Sequence, residues 1–215
     1  MTRLILASGS PRRKEILGLL QIPFQVMIPE GEEKAEGLPP AELVKALARQ
    51  KGEEIAGRLK QQEVDITQES PTLILAADTV VSLEGEIFGK PKDREDARRM
   101  LTRLSGREHE VFTGVYITQI HKQEDKTLTA TKSPFPLCFA ERTLVRFVKL
   151  EEEEILRYTA TKEPYDKAGA YAVQGLFAPY IEGIVGDYYN VMGLPLSAIY
   201  RRLKQAGVDL HTFCA

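Results

Sequence analysis

The sequence contains few of the features that mark secreted or membrane proteins. Only Cys138 and Cys214 occur among 215 residues, too few for a disulfide framework and without the spacing of a zinc site. No apolar run approaches the ~20 residues of a membrane span, and the apolar start of the chain is interrupted at once by a polar, basic turn, unlike a secretory signal. We therefore expect a cytoplasmic protein without a membrane partner.

A strong net charge and tryptophan are also absent from the sequence. The formal net charge is -2 and the chain has no Trp. A chain of this balance has no bulk attraction for nucleic acid, and it lacks the stripe of aromatic and basic residues on which single strands stack. We expect no nucleic-acid polymer as a partner, so any phosphate recognition has to come from local clusters and a small ligand.

The composition is sufficient for a folded core. With 43% hydrophobic and 28% charged residues, the chain fits a single globular domain over residues 1–215. Strands and helices alternate early, and the Asp93 cap predicts one of these helices. Hairpins dominate the middle, where Glu84-Gly85 has the composition of a tight turn. This order favours an α/β fold in which helices pack against a mixed sheet.

The stretch from Leu4 to Lys14 places cations at the start of a helix. An apolar strand leads through Ser8 to Ser10, a plausible N-cap, and the first helical turn reads Pro-Arg-Arg-Lys. The N-terminus of a helix is already positive, so Arg12 and Arg13 cost stability there unless an anion binds. Arginine forks and the Ser8 hydroxyl suit phosphate oxygens. A polyphosphate site is predicted, and a solvated basic helix start is the alternative that these residues leave open.

A single acid interrupts the most apolar run of the chain. Asp78 lies within residues 73–81, an unbroken run typical of a strand covered on both faces. A carboxylate there must be paired, metal-bound or raised in pKa, and each outcome suits a catalytic site. The alternative is a structural aspartate that accepts backbone hydrogen bonds at a strand end. Thr79 places its hydroxyl on the opposite face of the strand.

Three further charged residues indicate a binding site only when they are considered together with the residues above. Glu33 lies in the loop after the first helix, Lys51 lies on an amphipathic helix, and Lys90 lies in a Gly-Lys-Pro turn that fixes its direction. With the two N-terminal arginines, the lysines can neutralise a triphosphate. Asp78 and Glu33 can hold a divalent ion or orient a water molecule.

Six ordered blocks of the sequence resemble those of the Maf family. They span the chain from Leu4 to about Leu196: Leu-Ala-Ser-Gly-Ser-Pro-Arg-Arg, Ala-Asp-Thr-Val-Val, Gly-Lys-Pro, Leu-Ser-Gly-Arg-Glu-His-Glu-Val, Glu-Pro-Tyr-Asp-Lys-Ala-Gly-Ala-Tyr-Ala-Val-Gln-Gly and Asn-Val-Met-Gly-Leu-Pro-Leu. The resemblance implies a nucleoside triphosphate pyrophosphatase that uses Mg²⁺ or Mn²⁺ and water to cleave between the α and β phosphates. It also implies a homodimer with an inosine triphosphatase-like fold, an elongated mixed sheet flanked by helices with a cleft between two lobes.

The resemblance also assigns roles to individual residues. Asp78 matches the proton acceptor. The divalent ion is expected at Asp78 and Glu33 or mainly on the substrate, an alternative that the sequence leaves open. Other matched positions are associated with activity or with the N-terminal phosphate loop: Glu33, Lys51, Lys90, Ser8 and Arg13. His109, within the fourth block, is expected to be a hydrogen-bonding support rather than a metal ligand.

Substrate preference follows from three positions at which branches of the family differ. Arg12, Thr79 and Gln174 resemble the branch that acts on dTTP and UTP, whereas the 7-methyl-GTP branch places other residues there. The Gln174 amide carries a donor and an acceptor that match the O4 and N3–H edge of uracil or thymine. The rival hypothesis is a non-enzymatic regulator of septum formation and cell division that senses nucleotides in the same cleft.

Two segments stand apart from these motifs. Residues 163–175 are dense in charge and glycine without a clear period, which predicts a structured functional loop. The polar stretch 121–132 is interpreted as a long hairpin or an exposed loop.

Overall fold

The computed structural model describes residues 3–32, 35, 37–61, 71–120 and 133–210. The strands in these ranges are β1 (Arg3–Ala7), β2 (Gln25–Met27), β3 (Thr72–Leu83), β4 (Glu86–Phe88), β5 (Glu108–Ile120), β6 (Leu137–Phe147) and β7 (Ile181–Val185). They form one mixed sheet in the order β2-β1-β3-β5-β6-β7, and β4 pairs with β3 outside this path. β1 runs parallel to β2 and β3, whereas the other pairs are antiparallel.

Helices cover this sheet on both faces. They are α1 (Pro11–Gly18), α2 (Pro40–Gln61), α3 (Arg94–Leu104), α4 (Glu152–Thr159), α5 (Tyr188–Met192) and α6 (Leu196–Gln205). α2 packs its apolar stripe on one face, and α1 and α6 pack on the opposite face. The prediction of a mixed α/β fold with flanking helices is confirmed.

Two apolar clusters share the face of the sheet opposite α2. One cluster joins α1 and α6 to residues such as Leu75, Ala77 and Val115. The other joins α3 and α4 to residues such as Val81 and Val111. Between Ala77 and Val81 the strand carries Thr79 on this face, so a polar layer separates the two clusters.

The central strand β3 has one edge that changes partner. Its Thr72–Ala76 part pairs with β1, and its Val81–Leu83 part pairs with β4. Among the described residues, the intervening positions 77–80 have no strand partner on this edge, while β5 pairs along the other edge. The gap opens where β1 ends, directly beside the predicted phosphate loop.

Local sequence signals account for several boundaries. Glu84 and Gly85 have φ of 54° and 85° and close the β3–β4 hairpin, as expected of a two-residue turn. The Asp93 side chain accepts from the Asp96 amide at 2.8 Å and starts α3. Ser10 occupies the N-cap position of α1 but makes no side-chain cap; instead its own amide donates to Ser8 Oγ at 3.2 Å.

Other boundaries differ from those that the sequence indicates. The residue patterns around 111–118 and 143–148 indicate two strands, whereas β5 begins at Glu108 and β6 begins at Leu137, and the connection at 188–192 is a short helix capped by Asp187. The segment 163–175 contains two 3₁₀ turns, Glu163–Asp166 and Ala168–Ala170. The polar stretch 121–132 lies outside the described residues.

Candidate active site

A cavity of about 740 Å³ lies along the open edge of β3. The end of β1, the start of α1, one side of α2 and the segment 166–174 surround it. Eight of the nine site residues predicted from the sequence line this cavity: Ser8, Arg12, Arg13, Lys51, Asp78, Thr79, Lys90 and Gln174. The ninth, Glu33, lies outside the described residues. Side chains from positions that are up to 166 residues apart therefore converge as predicted.

Asp78 is paired on the α2 face of the sheet. Its Oδ1 accepts a hydrogen bond from Lys51 Nζ at 2.5 Å, and the residue is 8% exposed. A buried carboxylate needs such a charged partner, because burial without one is costly. Among the described residues Oδ2 accepts no hydrogen bond, and Asp78 is part of the cavity lining.

Two glycines allow α2 to approach β3 and β5 closely enough for this pair to form. Gly114 lies opposite Asp78 in the β3–β5 register. A Cβ at Gly114 would overlap the Val44 carbonyl of α2, and a Cβ at Gly52 would overlap the Tyr116 ring. The absence of both side chains brings the backbone of α2 onto the sheet and places Lys51 within reach of Asp78.

Arg13 is held on the opposite face of β3. Its Nε donates to the Gly193 carbonyl at 2.8 Å, Nη1 donates to Ser8 Oγ at 3.2 Å, and Nη2 donates to Thr79 Oγ1 at 3.1 Å. The guanidinium is thus fixed by three acceptors from three segments of the chain. Gly193, at φ of 109°, has the left-handed backbone that ends α5 and turns its carbonyl towards Arg13.

The hydrogen bonds that continue from Arg13 through Thr79 and Thr113 all donate in the same direction. Thr79 Oγ1 lies 2.9 Å from Thr113 Oγ1, which donates to the Asn190 carbonyl at 2.9 Å. Because arginine only donates, Thr79 accepts from Arg13 and uses its own proton towards Thr113. The result is a directed chain from Arg13 through two hydroxyls to a backbone carbonyl, and such chains polarise in a cooperative manner.

Asn190 anchors the end of this chain. The residue is fully buried, and its Nδ2 donates to the Val111 carbonyl at 3.1 Å and to Thr143 Oγ1 at 3.0 Å. These bonds attach α5 to β5 and β6. The polar layer between the two apolar clusters therefore connects the phosphate loop to the far half of the sheet.

An ion pair crosses the mouth of the cavity. Arg12 donates to the Asp166 carboxylate at 3.0 Å and to its backbone carbonyl at 3.1 Å, and Lys167 binds the other carboxylate oxygen at 2.5 Å. Burial raises the pKa of the Asp166 carboxyl, but the bonds from Lys167 and Arg12 outweigh it and hold this pKa below its usual value. Arg12 therefore faces an intramolecular carboxylate.

Lys90 and Gln174 have side chains without hydrogen-bonding or ionic partners among the described residues. Within the described part of the chain, Lys90 forms no ion pair and the Gln174 amide forms no hydrogen bond, and both residues are exposed where they line the cavity. The Gly169 amide donates to the Gly89 carbonyl at 3.0 Å, which fixes the turn before Lys90. An amine and an amide with vacant hydrogen-bonding capacity are suited to a ligand.

Cations outnumber carboxylates in the described part of the lining. Its described residues include five cations and two carboxylates, Asp78 and Asp166. The cations are Arg12, Arg13, Lys51, Lys90 and Lys167. A concave site with this excess attracts anions although the whole chain is mildly acidic.

His109 lies behind the cavity and not in it. The residue is 1% exposed, its Nε2 is 2.9 Å from the Tyr171 hydroxyl, and burial lowers its pKa to about 3. The expectation of a hydrogen-bonding support is confirmed. In the described ranges, no group of three or more His, Cys, Asp or Glu side chains is arranged to hold a metal ion.

The cavity lining also includes Asp166, Lys167 and Gly193, which no sequence pattern predicted as site residues. Their signal was the charge and glycine density of 163–175 and the Asn-Val-Met-Gly block. These features indicated a functional loop but not which side chains line the cavity.

No helix in the described residues is long and apolar enough to cross a bilayer.

Fold and site define a mixed α/β protein with a cation-lined cleft of the size that small ligands occupy. The family model described as Maf-like protein matches residues 3–206, and the chain belongs to this family. It is 46% identical over 213 residues to a dTTP/UTP pyrophosphatase of Agathobacter rectalis, covering 98% of this chain and 100% of that protein. It is 43% identical over 211 residues to a dTTP/UTP pyrophosphatase of Bacillus cereus, covering 98% of both chains.

Among solved structures, a dITP/XTP pyrophosphatase from Mycobacterium abscessus aligns with a TM-score of 0.39 and 11% identity. The alignment covers 96% of this chain and 97% of that chain.

Proposed function

We propose that this protein hydrolyses the α–β phosphate linkage of dTTP and UTP, releasing the nucleoside monophosphate and pyrophosphate. The observation that carries the proposal is the position of Asp78, a buried carboxylate at the wall of a cavity lined by five cations. Relatives that match nearly the whole chain at 43% to 46% identity bear the name of this activity.

The cations would bind the triphosphate and stabilise the leaving group. Lys90 is free of protein carboxylates in the described ranges, and Arg12 can exchange Asp166 for a phosphate oxygen. Arg13 and Ser8, already fixed to each other, form the floor of the phosphate loop. Charge develops on the pyrophosphate as the bond breaks, so prearranged cations lower the barrier.

Asp78 would act as the general base. Lys51 occupies Oδ1, and Oδ2 accepts a proton from the attacking water. The water oxygen forms a bond to phosphorus, the P–O bond of the α–β linkage breaks, and its electron pair leaves with the pyrophosphate. Lys51 keeps the carboxylate oriented, and the close packing of α2 keeps Lys51 in place.

A divalent cation, Mg²⁺ or Mn²⁺, fits these residues only in part. Its proposed holders are Asp78 and Glu33, and of these only Asp78 lies in the described ranges. With Oδ1 taken by Lys51 and Oδ2 needed as the base, Asp78 has little capacity left for an ion, which would take most of its ligands from phosphates and water. When bound, the ion would neutralise charge on the phosphate oxygens.

Gln174 would read the base. Its amide has no hydrogen bond within the described chain and lines the cavity, so its donor and acceptor are available to the O4 and N3–H edge of uracil or thymine. Thr79 would act on specificity through Arg13, because both hydrogen-bonding functions of its hydroxyl are used there and at Thr113.

The proposal extends to the setting of the enzyme. Removal of unwanted pyrimidine triphosphates from the nucleotide pool is the proposed role. A cytoplasmic location, a homodimer and the absence of nucleic-acid and membrane partners belong to the same proposal, supported by composition and by family resemblance.

A nucleotide panel tests the proposal. Pyrophosphate release is measured with dTTP, UTP, CTP, GTP and 7-methyl-GTP in the presence of Mg²⁺ or Mn²⁺. We expect turnover of dTTP and UTP above the others, and Gln174→Glu should reduce turnover of these two more than it weakens inhibition by pyrophosphate. Binding of nucleotides without any pyrophosphate release would instead support a sensor.

A further inference from the structure

The turn that carries Gln174 is held from outside the cavity by a carboxylate. Glu163 Oε1 accepts from the Tyr158 hydroxyl at 2.9 Å, and Oε2 accepts from the Leu176 amide at 3.0 Å. Glu163 does not line the cavity, whereas Gln174, two residues before Leu176, does. The carboxylate therefore holds the backbone of the turn from outside the cavity lining.

Gly175 permits this attachment. A Cβ at Gly175 would overlap Cδ and both carboxylate oxygens of Glu163. Because Gly175 has no side chain, the Glu163 carboxylate packs directly against the backbone next to Gln174. Backbone bonds from Gly175 to Ala172 at 3.3 Å and from Ala178 to Gly175 at 3.0 Å complete the turn.

Glu163 is itself fixed. Lys167 Nζ donates to its carbonyl at 2.7 Å, and its amide donates to Thr161 Oγ1 at 3.3 Å. Burial and then the neighbouring Glu163 raise the pKa of Tyr158, so its phenol remains a donor. Tyr158 in turn packs at 4.9 Å against the ring of Phe177. The carboxylate therefore connects a rigid aromatic cluster to the turn.

We infer that Glu163 is a positioning residue for base selection, which rests on the proposed function. The Gln174 side chain makes no hydrogen bond of its own within the described chain, so the backbone of its turn decides where the amide points. Glu163 fixes that backbone and thereby aims the amide at the base. A mispositioned amide leaves polar groups of the base or of the protein unpaired, which is what gives a hydrogen-bonded site its discrimination.

The test compares nucleotides rather than total activity. The selectivity ratio is kcat/KM for UTP divided by kcat/KM for CTP, and the inhibition constant of pyrophosphate reports the phosphate half of the site. Glu163→Ala should lower the ratio about tenfold, the scale of one lost hydrogen bond, with pyrophosphate inhibition unchanged. Glu163→Gln, which keeps an acceptor for Leu176, should retain most of the ratio.

Two further variants exclude a merely structural effect. Gly175→Ala displaces the carboxylate without removing it and should also lower the ratio. Glu152→Ala, which removes an exposed glutamate paired with Arg98 at 3.0 Å, should leave the ratio unchanged. In a Gln174→Ala background, Glu163→Ala should have no additional effect on the ratio, because coupled residues are not additive.

The outcomes separate this inference from the proposed function. A wild-type ratio in folded Glu163→Ala, or an equal decrease with and without Gln174, overturns the positioning role while UTP hydrolysis stands. A wild-type protein that releases no pyrophosphate from any nucleotide overturns both.

Discussion

Arg13 and Thr79 meet on the face of β3 that is opposite the Asp78–Lys51 pair. The guanidinium donates to Thr79 Oγ1 at 3.1 Å, while Lys51 binds Asp78 on the other face at 2.5 Å. Consecutive residues of one strand therefore fix two cations on the two sides of the sheet. The cavity at the open edge of β3 receives both.

The hydroxyl chain behind Arg13 predicts the effect of Thr113→Val. The substitution preserves shape but leaves the Thr79 proton without an acceptor and loosens the guanidinium. We expect the inhibition constant of pyrophosphate to rise by at least about fivefold, since an unpaired buried polar group costs about 1–3 kcal/mol. Thr113→Ser should restore wild-type inhibition.

Thr159→Val is the matched control for this substitution. Thr159 is equally buried, and its hydroxyl donates to the Ile155 carbonyl in α4, away from the cavity. The control should lower Tm without changing pyrophosphate inhibition. Equal inhibition constants for Thr113→Val and wild type would contradict the directed chain.

Asp78→Asn tests the general base. The amide keeps the shape of the carboxylate but cannot take up a proton from water and no longer pairs with the Lys51 charge. We expect kcat for UTP to fall by at least about a hundredfold, with Tm measured in parallel. Asp96→Asn, which alters a half-buried carboxylate paired with Arg99 in the first turn of α3, should retain full turnover. Near-normal turnover of Asp78→Asn would reject the assignment.

Local chemistry made part of this structure predictable. The unbroken apolar run around Asp78, the Glu84-Gly85 turn and the Asp93 cap each depend on residues within a few positions of one another. Ser10 shows the limit of such rules. It occupies the predicted N-cap position, but its side chain forms no cap. Its amide donates instead to Ser8 Oγ, which also accepts from Arg13.

Contacts between distant segments could not be predicted in this way. The Arg12–Asp166 pair joins residues 154 positions apart, and the Asn190 carbonyl receives Thr113 across 77 positions. Nothing in the composition of either partner identifies the other. Charge and glycine density located the loop 163–175, but only the folded backbone shows that Asp166 faces the cavity and Glu163 faces away.

Gly114→Ala tests the close approach of α2. The added methyl group would overlap the Val44 carbonyl, and a backbone atom cannot yield by changing rotamer. We expect a loss of about 1–3 kcal/mol in the free energy of unfolding. Turnover should also decrease, because displacement of α2 moves Lys51 from Asp78. Urea unfolding and pyrophosphate release measure the two effects.

Gly57→Ala is the control for this substitution. Gly57 lies in the same helix, and its Cβ would have open space around it. The change should raise stability by about 1 kcal/mol through helix propensity and leave turnover unchanged. Wild-type stability of Gly114→Ala would show that α2 does not depend on the glycine.

Buried His109 predicts how stability depends on pH. Its pKa is about 3 in the folded protein because of burial, against 6.5 when exposed. Below pH 6.5 the unfolded chain binds a proton that the folded protein does not, so acidification towards pH 3 removes stability. Between pH 7 and pH 5 this group lowers the free energy of unfolding by about 2 kcal/mol.

Two variants test this contribution. His109→Gln, which can still bond to the Tyr171 hydroxyl, should not show this loss of unfolding free energy, while Tyr171→Phe should retain it. Urea unfolding of the three proteins at both pH values gives the change in the free energy of unfolding for each. The contribution of carboxylate titration is the same in all three and cancels when they are compared. Parallel pH profiles for wild type and His109→Gln would contradict the assignment of a neutral histidine.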